Sequence, residues 1–157
     1  MTRTKDEIAA VYSRHVDTVY RVCFTYMKGH RMDLEDAVQA TFVNLIRSGK
    51  RFADTEHEKA WLITAAKNVC KNMLKRRHRT ETALTEDMYA AQSGHEDTMQ
   101  MIDALPEKEK IAVYLHYFEG YTASEIGAML GRKESTVWGY MHCGRKRLAA
   151  MLMEETQ

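Results

Sequence analysis

The residues with the most chemistry to offer are cations at regular spacing. From Lys67 to Arg79 every charged side chain is basic: Lys67, Lys71, Lys75, Arg76, Arg77 and Arg79. Lys67, Lys71 and Lys75 stand four apart, which on a helix sets them along one face as a positive stripe suited to a phosphate backbone. Phe52 and Trp61 lie just upstream, where aromatic rings can stack on unpaired bases. A second group gathers around the turn Gly131-Arg132-Lys133 and the segment that follows it. There Arg132, Lys133, Glu134, Ser135, Thr136, Trp138 and Tyr140 occupy the start of a helix, the positions that reach base edges in a helix-turn-helix. Arg145, Lys146 and Arg147 come one to two turns later, placed to hold phosphates. The bland alternatives are a wet helix end for the Lys/Arg run, a core position for Trp61, and an ordinary αα-hairpin for the second group.

Other chemistry is absent from the pattern. No Walker-type loop, GxGxxG, HExxH or GxSxG occurs. The seven histidines (His15, His30, His57, His78, His95, His116 and His142) are scattered, and His142-Cys143 is adjacent rather than at ligand spacing. No metal, cofactor or catalytic residue is expected, so the chain reads as a binding protein, not an enzyme. The acidic pair Glu35/Asp36 needs no general-base role, because negative charge in a first helical turn suits the helix dipole.

These groups must be positioned by helices. Strand-type alternation is nowhere sustained, and eight glycines and one proline punctuate 157 residues. The expected fold is all-α. A first helix, Lys5–Met27, carries Ile8, Val11/Tyr12, Val16, Val19/Tyr20, Cys23 and Met27 on one face, with Gly29 as its terminator. A second begins at Asp33, buries Leu34, Ala37/Val38, Thr41/Phe42 and Leu45/Ile46, and closes at Ser48-Gly49-Lys50. A third, Glu56–Arg79, buries Trp61/Leu62, Ala65/Ala66, Val69 and Met73/Leu74. Helical spacing weakens after Thr80, resumes at Thr98–Leu105, and continues through Glu107–Phe118 after Pro106. Thr122–Leu130, the turn at Gly131 and Glu134–Met153 make the helix-turn-helix, with Ile126, Leu130 and Val137 beneath the turn. The organisation expected is two small helical domains, 1–79 and 98–157, joined by a flexible linker over 80–97.

Composition agrees with a soluble globular protein: 45% hydrophobic, 29% charged, 23 basic against 22 acidic residues. No stretch has the roughly 18 uncharged apolar residues of a membrane helix, and no membrane insertion is expected. The charged N-terminus without an apolar stretch points to the cytoplasm. Cys23, Cys70 and Cys143, odd in number and far apart, read as buried thiols in a reducing compartment. The near-zero net charge conceals segregation, since acids gather at Asp33, Glu35, Asp36 and in the linker. From residues alone, two readings stand: a helix-turn-helix DNA-binding regulator and a helical protein-interaction module.

Three segments in order resemble a bacterial sigma factor of the extracytoplasmic-function (ECF) group. Asp33-Leu34-Glu35-Asp36-Ala37-Val38-Gln39-Ala40-Thr41-Phe42 is similar to the family's acidic helix that docks on the polymerase clamp. Lys59 to Val69, continuing through Leu74-Lys75-Arg76-Arg77-His78-Arg79, resembles its promoter-melting and minus-ten helix. Leu105-Pro106-Glu107 with the helix-turn-helix resembles the domain that reads the minus-thirty-five element. The resemblance implies partners: core RNA polymerase, promoter DNA and an anti-sigma factor. It assigns Asp33, Glu35, Asp36, Gln39 and Phe42 to polymerase, Phe42 by apolar area. The loop Phe52–Glu58 corresponds to a pocket for a flipped base, and Lys67, Asn68, Lys71 and Lys75 face promoter DNA. The chain departs from the family at Trp138-Gly139-Tyr140, where Lys-Ser-Arg is common, and at Cys143-Gly144-Arg145, where Arg-Ala-Arg is common. Two glycines in that helix predict a less rigid element or an unusual DNA target.

Overall fold

The structure is a computed structural model that describes residues 3–27, 30–80 and 101–155. All regular structure among the described residues is helical, and the chain divides into two compact units, Met1–Ala90 and Ala91–Gln157. The terminator expected at Gly29 and the linker expected after Thr80 lie outside the described residues.

The first unit packs three helices against one another: α1 (Lys5–Tyr26), α2 (Arg31–Ser48) and α3 (Thr55–Thr80). Thr4 starts α1 with a capping box: its hydroxyl accepts the Glu7 N–H at 3.1 Å, and the Glu7 carboxylate accepts the Thr4 N–H at 2.9 Å. Glu7 is held below the ordinary carboxylate range, first by that backbone hydrogen bond and then by Arg51. The core stripe of α1 is Val11, His15, Val19, Val22/Cys23 and Tyr26, so it passes through His15 where Val16 was expected, and Tyr12 stays 43% exposed. A histidine is tolerated inside because its ring has a partner on α3, described below.

Helix α2 begins two residues earlier than the sequence suggests, leaving Asp33 in the first turn, and ends on Gly49 in the left-handed conformation (φ 68°). Leu34, Ala37, Val38, Thr41, Phe42 and Leu45 are buried, while Ile46 lies at the edge of the solvent. Asp54 precedes α3 and accepts the His57 N–H at 2.9 Å, filling one orphan donor of the helix start. That backbone bond, followed by the His57 ring, lowers the Asp54 pKa. Leu62, Ile63, Ala66, Val69 and Cys70 form the inner face of α3, each large side chain contributing about 1.5–3 kcal/mol by leaving water.

In the second unit, residues 101–103 are helical and lead to α4 (Glu107–Val113), which continues as a π-helical turn over Tyr114–Phe118. Gly120 (φ 82°) turns the chain into α5 (Ala123–Leu130) and then α6 (Glu134–Glu155). Helices α4 and α5 both pack on α6. Ile102, Leu105 and Val113 make one buried cluster under Leu148 and Met151, and Ile126, Val137 and Met141 are enclosed beneath the turn. Gly144 is explained by packing. A Cβ there would lie 2.7 Å from Val113 Cγ2, so α6 crosses α4 too closely for any side chain.

Candidate nucleic-acid interface

Helix α2 presents an outward stripe of Met32, Glu35, Asp36, Gln39, Val43 and Ile46, spaced by three and four residues. Acids and a glutamine stand at its middle, with apolar side chains at both ends. Two of the residues assigned to polymerase make contacts within the unit. Phe42 is only 7% exposed and its ring lies 4.9 Å from that of Tyr12, so it is core and offers no apolar area to a partner. Its place on the surface is taken by Met32 and Val43, which the sequence reading passed over. Asp33 Oδ2 accepts a 2.8 Å hydrogen bond from Arg77 Nη1, tying the start of α2 to the basic end of α3.

Asn44, Arg47 and Ser48 of α2 face Trp61, Thr64, Ala65 and Asn68 of α3 across an open groove of about 420 Å³. The Phe52 ring sits 6.1 Å from that of Trp61 at a tilt of 52°. Asn68, Lys71, Lys75 and Arg76 are exposed along α3, and Lys67 is half-buried. The Lys71 ammonium lies 5.7 Å from the centre of the Tyr26 ring, a cation–π contact that steadies it without neutralising its charge. The arrangement joins an open groove, walled by Trp61 and edged by amide and hydroxyl side chains, to a line of cations, which suits a nucleic-acid strand with one base turned inward.

The loop carrying Phe52 is anchored from beneath. Glu58 is 7% exposed and receives His15 Nε2 at 2.9 Å and Arg14 Nη2 at 3.0 Å, with Arg3 Nη2 at 3.9 Å. Arg3 also donates to the Lys50 carbonyl at 2.8 Å, and Arg51 approaches Glu7 at 3.4 Å. Burial pushes the Glu58 pKa up, but the hydrogen bonds from His15 and Arg14 outweigh it and hold the carboxyl below its ordinary 4.5. Sequence reading missed this network. The signal available was His15 standing four residues from both Val11 and Val19, a polar residue in register with an apolar stripe.

In the second unit, Thr122 and Glu125 form a reciprocal capping box at the start of α5. Gly131 (φ 71°) closes that helix, and the turn folds so tightly that a Cβ on Gly127 would lie 2.6 Å from the Arg132 carbonyl oxygen. Burial of Val137, Met141 and Gly144 turns the opposite side of α6 outward. Arg132, Lys133, Glu134, Ser135, Trp138, Arg145 and Lys146 are exposed, with Thr136 and Tyr140 half-buried. Arg145 Nη1 reaches the Tyr117 hydroxyl at 3.4 Å, and Arg147 Nε is bound to Glu109 at 2.8 Å. Cys23 and Cys70 are buried as expected, but Cys143 is exposed because it sits on that outward side.

Two family models match: Sigma-70 region 2 over residues 11–80 and Sigma-70 region 4 over residues 95–148. The ECF RNA polymerase sigma factor SigE of Mycolicibacterium smegmatis is 31% identical over 91% of this chain and 60% of its own length. The chain belongs to the ECF sigma factors. As an ECF sigma factor it is also similar to the RNA polymerase sigma factor CarQ of Myxococcus xanthus, at 28% identity over 96% of this chain and 91% of that one. Among solved structures, the sigma factor RpoE of Bartonella quintana, co-crystallised with the anti-sigma factor NepR, shares the fold. Its TM-score is 0.70 at 19% identity over 95% of this chain and 96% of that one. The chain thus spans 60% of SigE and nearly all of CarQ. In this ECF sigma factor, region 2 holds the α2 stripe, the groove and the cations of α3, and region 4 holds the helix-turn-helix.

Proposed function

We propose that this sigma factor binds core RNA polymerase through the outward stripe of α2 and carries it to a two-part promoter. Glu35, Asp36 and Gln39 pair with basic and polar groups of the polymerase, while Met32 and Val43 supply apolar area. The groove of Asn44, Arg47, Trp61 and Asn68 receives a base extruded from the downstream element, and Lys71, Lys75 and Arg76 hold the phosphates beside it. The second unit reads the upstream element as duplex through Arg132, Lys133 and the start of α6, with Lys146 on the backbone. The observation that carries this reading is that one three-helix unit holds an acidic-apolar stripe on α2 and, between α2 and α3, an open groove beside a line of cations.

The family is one of sigma factors, which act by binding. No helix among the described residues is long and apolar enough to cross a membrane, and the site of action in this reading is the cytoplasm, beside the polymerase. An anti-sigma factor is the third partner, supported by the co-crystal of the similar RpoE fold with NepR. The reading is tested by reversing charge at Glu35→Lys and Asp36→Lys together, leaving Asp33 to its ion pair with Arg77. Affinity for core polymerase is expected to fall about tenfold or more at low salt while the helical signal is unchanged. Undiminished core binding would remove α2 from the interface.

A further inference from the structure

The outward side of α6 carries an unusual set of side chains for a helix that reads DNA. Between Lys133 and Arg145 it has no cation: Glu134, Ser135, Trp138, Gly139, His142 and Cys143 occupy the exposed positions. Arginine paired to guanine, the commonest specific contact in the major groove, has no donor over these helical turns. What the face offers among these polar and small side chains is one large apolar ring. Trp138 is 53% exposed, and its ring lies 6.5 Å from that of His116.

Gly139 stands at the middle of this face. The other two glycines of the helix-turn-helix that lack a positive φ are explained internally: Gly127 by the Arg132 carbonyl and Gly144 by Val113. Gly139 is exposed, and a Cβ built on it meets nothing within 4 Å. It therefore lowers the helix propensity relative to alanine with no return from within the fold. A glycine also lets a backbone approach a ligand closely, and this one lies where the helix would enter the groove.

We propose that α6 reads its upstream element through thymine methyl groups: Gly139 lets the helix backbone come close to the base edges, and Trp138 packs against the 5-methyls beside it. The inference rests on the assignment of α6 to DNA. Thymine is the one base that presents a methyl in the major groove, so an apolar side chain distinguishes it without a hydrogen bond. Removing each packed methyl is worth about a fourfold loss in affinity.

The test uses the full chain assembled with core RNA polymerase and a pool of randomised duplex fragments. Bound DNA is sequenced, and the winning fragments are remade with deoxyuridine in place of thymine upstream. The expected result is enrichment of thymine-containing steps in the upstream element and about a fourfold loss per thymine replaced. Trp138→Ala should abolish that sensitivity. Gly139→Ala should raise the melting temperature yet weaken binding of the same fragments severalfold, a split that a purely structural role would not give. Equal affinity for the thymine and uracil forms, or unchanged binding by Gly139→Ala, overturns the inference while leaving the sigma-factor reading in place. Recovery of no fragment from the pool overturns both.

Discussion

At the scale of single residues, Glu58 is the position that ties the start of α3 to α1. Its carboxylate is buried against His15 and Arg14, so Glu58→Gln leaves two cationic or polar partners facing an amide. The expected cost is about 3 kcal/mol, read as a lowered melting temperature at neutral pH. The sign with pH follows from the direction of the shift. A carboxyl held below its ordinary 4.5 contributes stability above that value and loses it as pH falls through the folded-state pKa. The gap between wild type and Glu58→Gln should therefore be full near neutrality and close in acid. If the gap were constant from neutral to strongly acidic pH, the carboxylate would not be the stabilising form. Such a residue was hard to see in advance, because a charge 44 residues from Arg14 has no local signature. Lys71, Lys75 and Asn68 were legible, since their exposure follows from helical spacing alone. Phe42 was legible as well, since spacing set it in the buried stripe where it lies against the Tyr12 ring; only the resemblance assigned it to a partner.

At the scale of elements, the glycines of the helix-turn-helix separate packing from propensity. Gly127→Ala drives a Cβ against the Arg132 backbone carbonyl, which cannot move without opening the turn. Gly144→Ala meets the side chain of Val113, where part of the clash relaxes. Gly139→Ala meets nothing and gains helix propensity. Thermal unfolding should thus rank Gly139→Ala above wild type by about 0.5–1 kcal/mol. Gly144→Ala should fall below wild type by about 1–2 kcal/mol, with Gly127→Ala lower still. A Gly144→Ala chain as stable as Gly139→Ala would contradict the close crossing of α4 and α6. The helices themselves were readable from apolar spacing and from Gly49, Pro106, Thr122 and Gly131, each a boundary residue with a local cause. What spacing misjudged was Gly144, read as a source of looseness. The sequence shows that a side chain is missing, but only the neighbouring helix shows the space to be filled.

At the scale of the whole molecule, a net charge of +1 conceals segregation: within the first unit the exposed acids Glu35 and Asp36 lie on α2, and the exposed cations Lys71, Lys75 and Arg76 lie on α3. This segregation predicts that promoter binding by the assembled holoenzyme weakens steeply with salt, and that Lys71→Ala with Lys75→Ala flattens the salt slope by about two. An unaltered slope would place those lysines away from phosphate. Order and spacing of three segments made the family legible before any coordinates, because an acidic helix, a cationic helix and a helix-turn-helix each leave a periodic trace. The groove between α2 and α3 left none, since its walls come from residues as far apart as Asn44 and Asn68. The most direct measurement mixes the purified chain with core RNA polymerase and promoter fragments and maps unpaired thymines with permanganate. We predict a stable complex at low salt and strand opening that requires the chain and fails with Glu35→Lys/Asp36→Lys. A chain that neither joins core polymerase nor opens any fragment under those conditions would contradict the account.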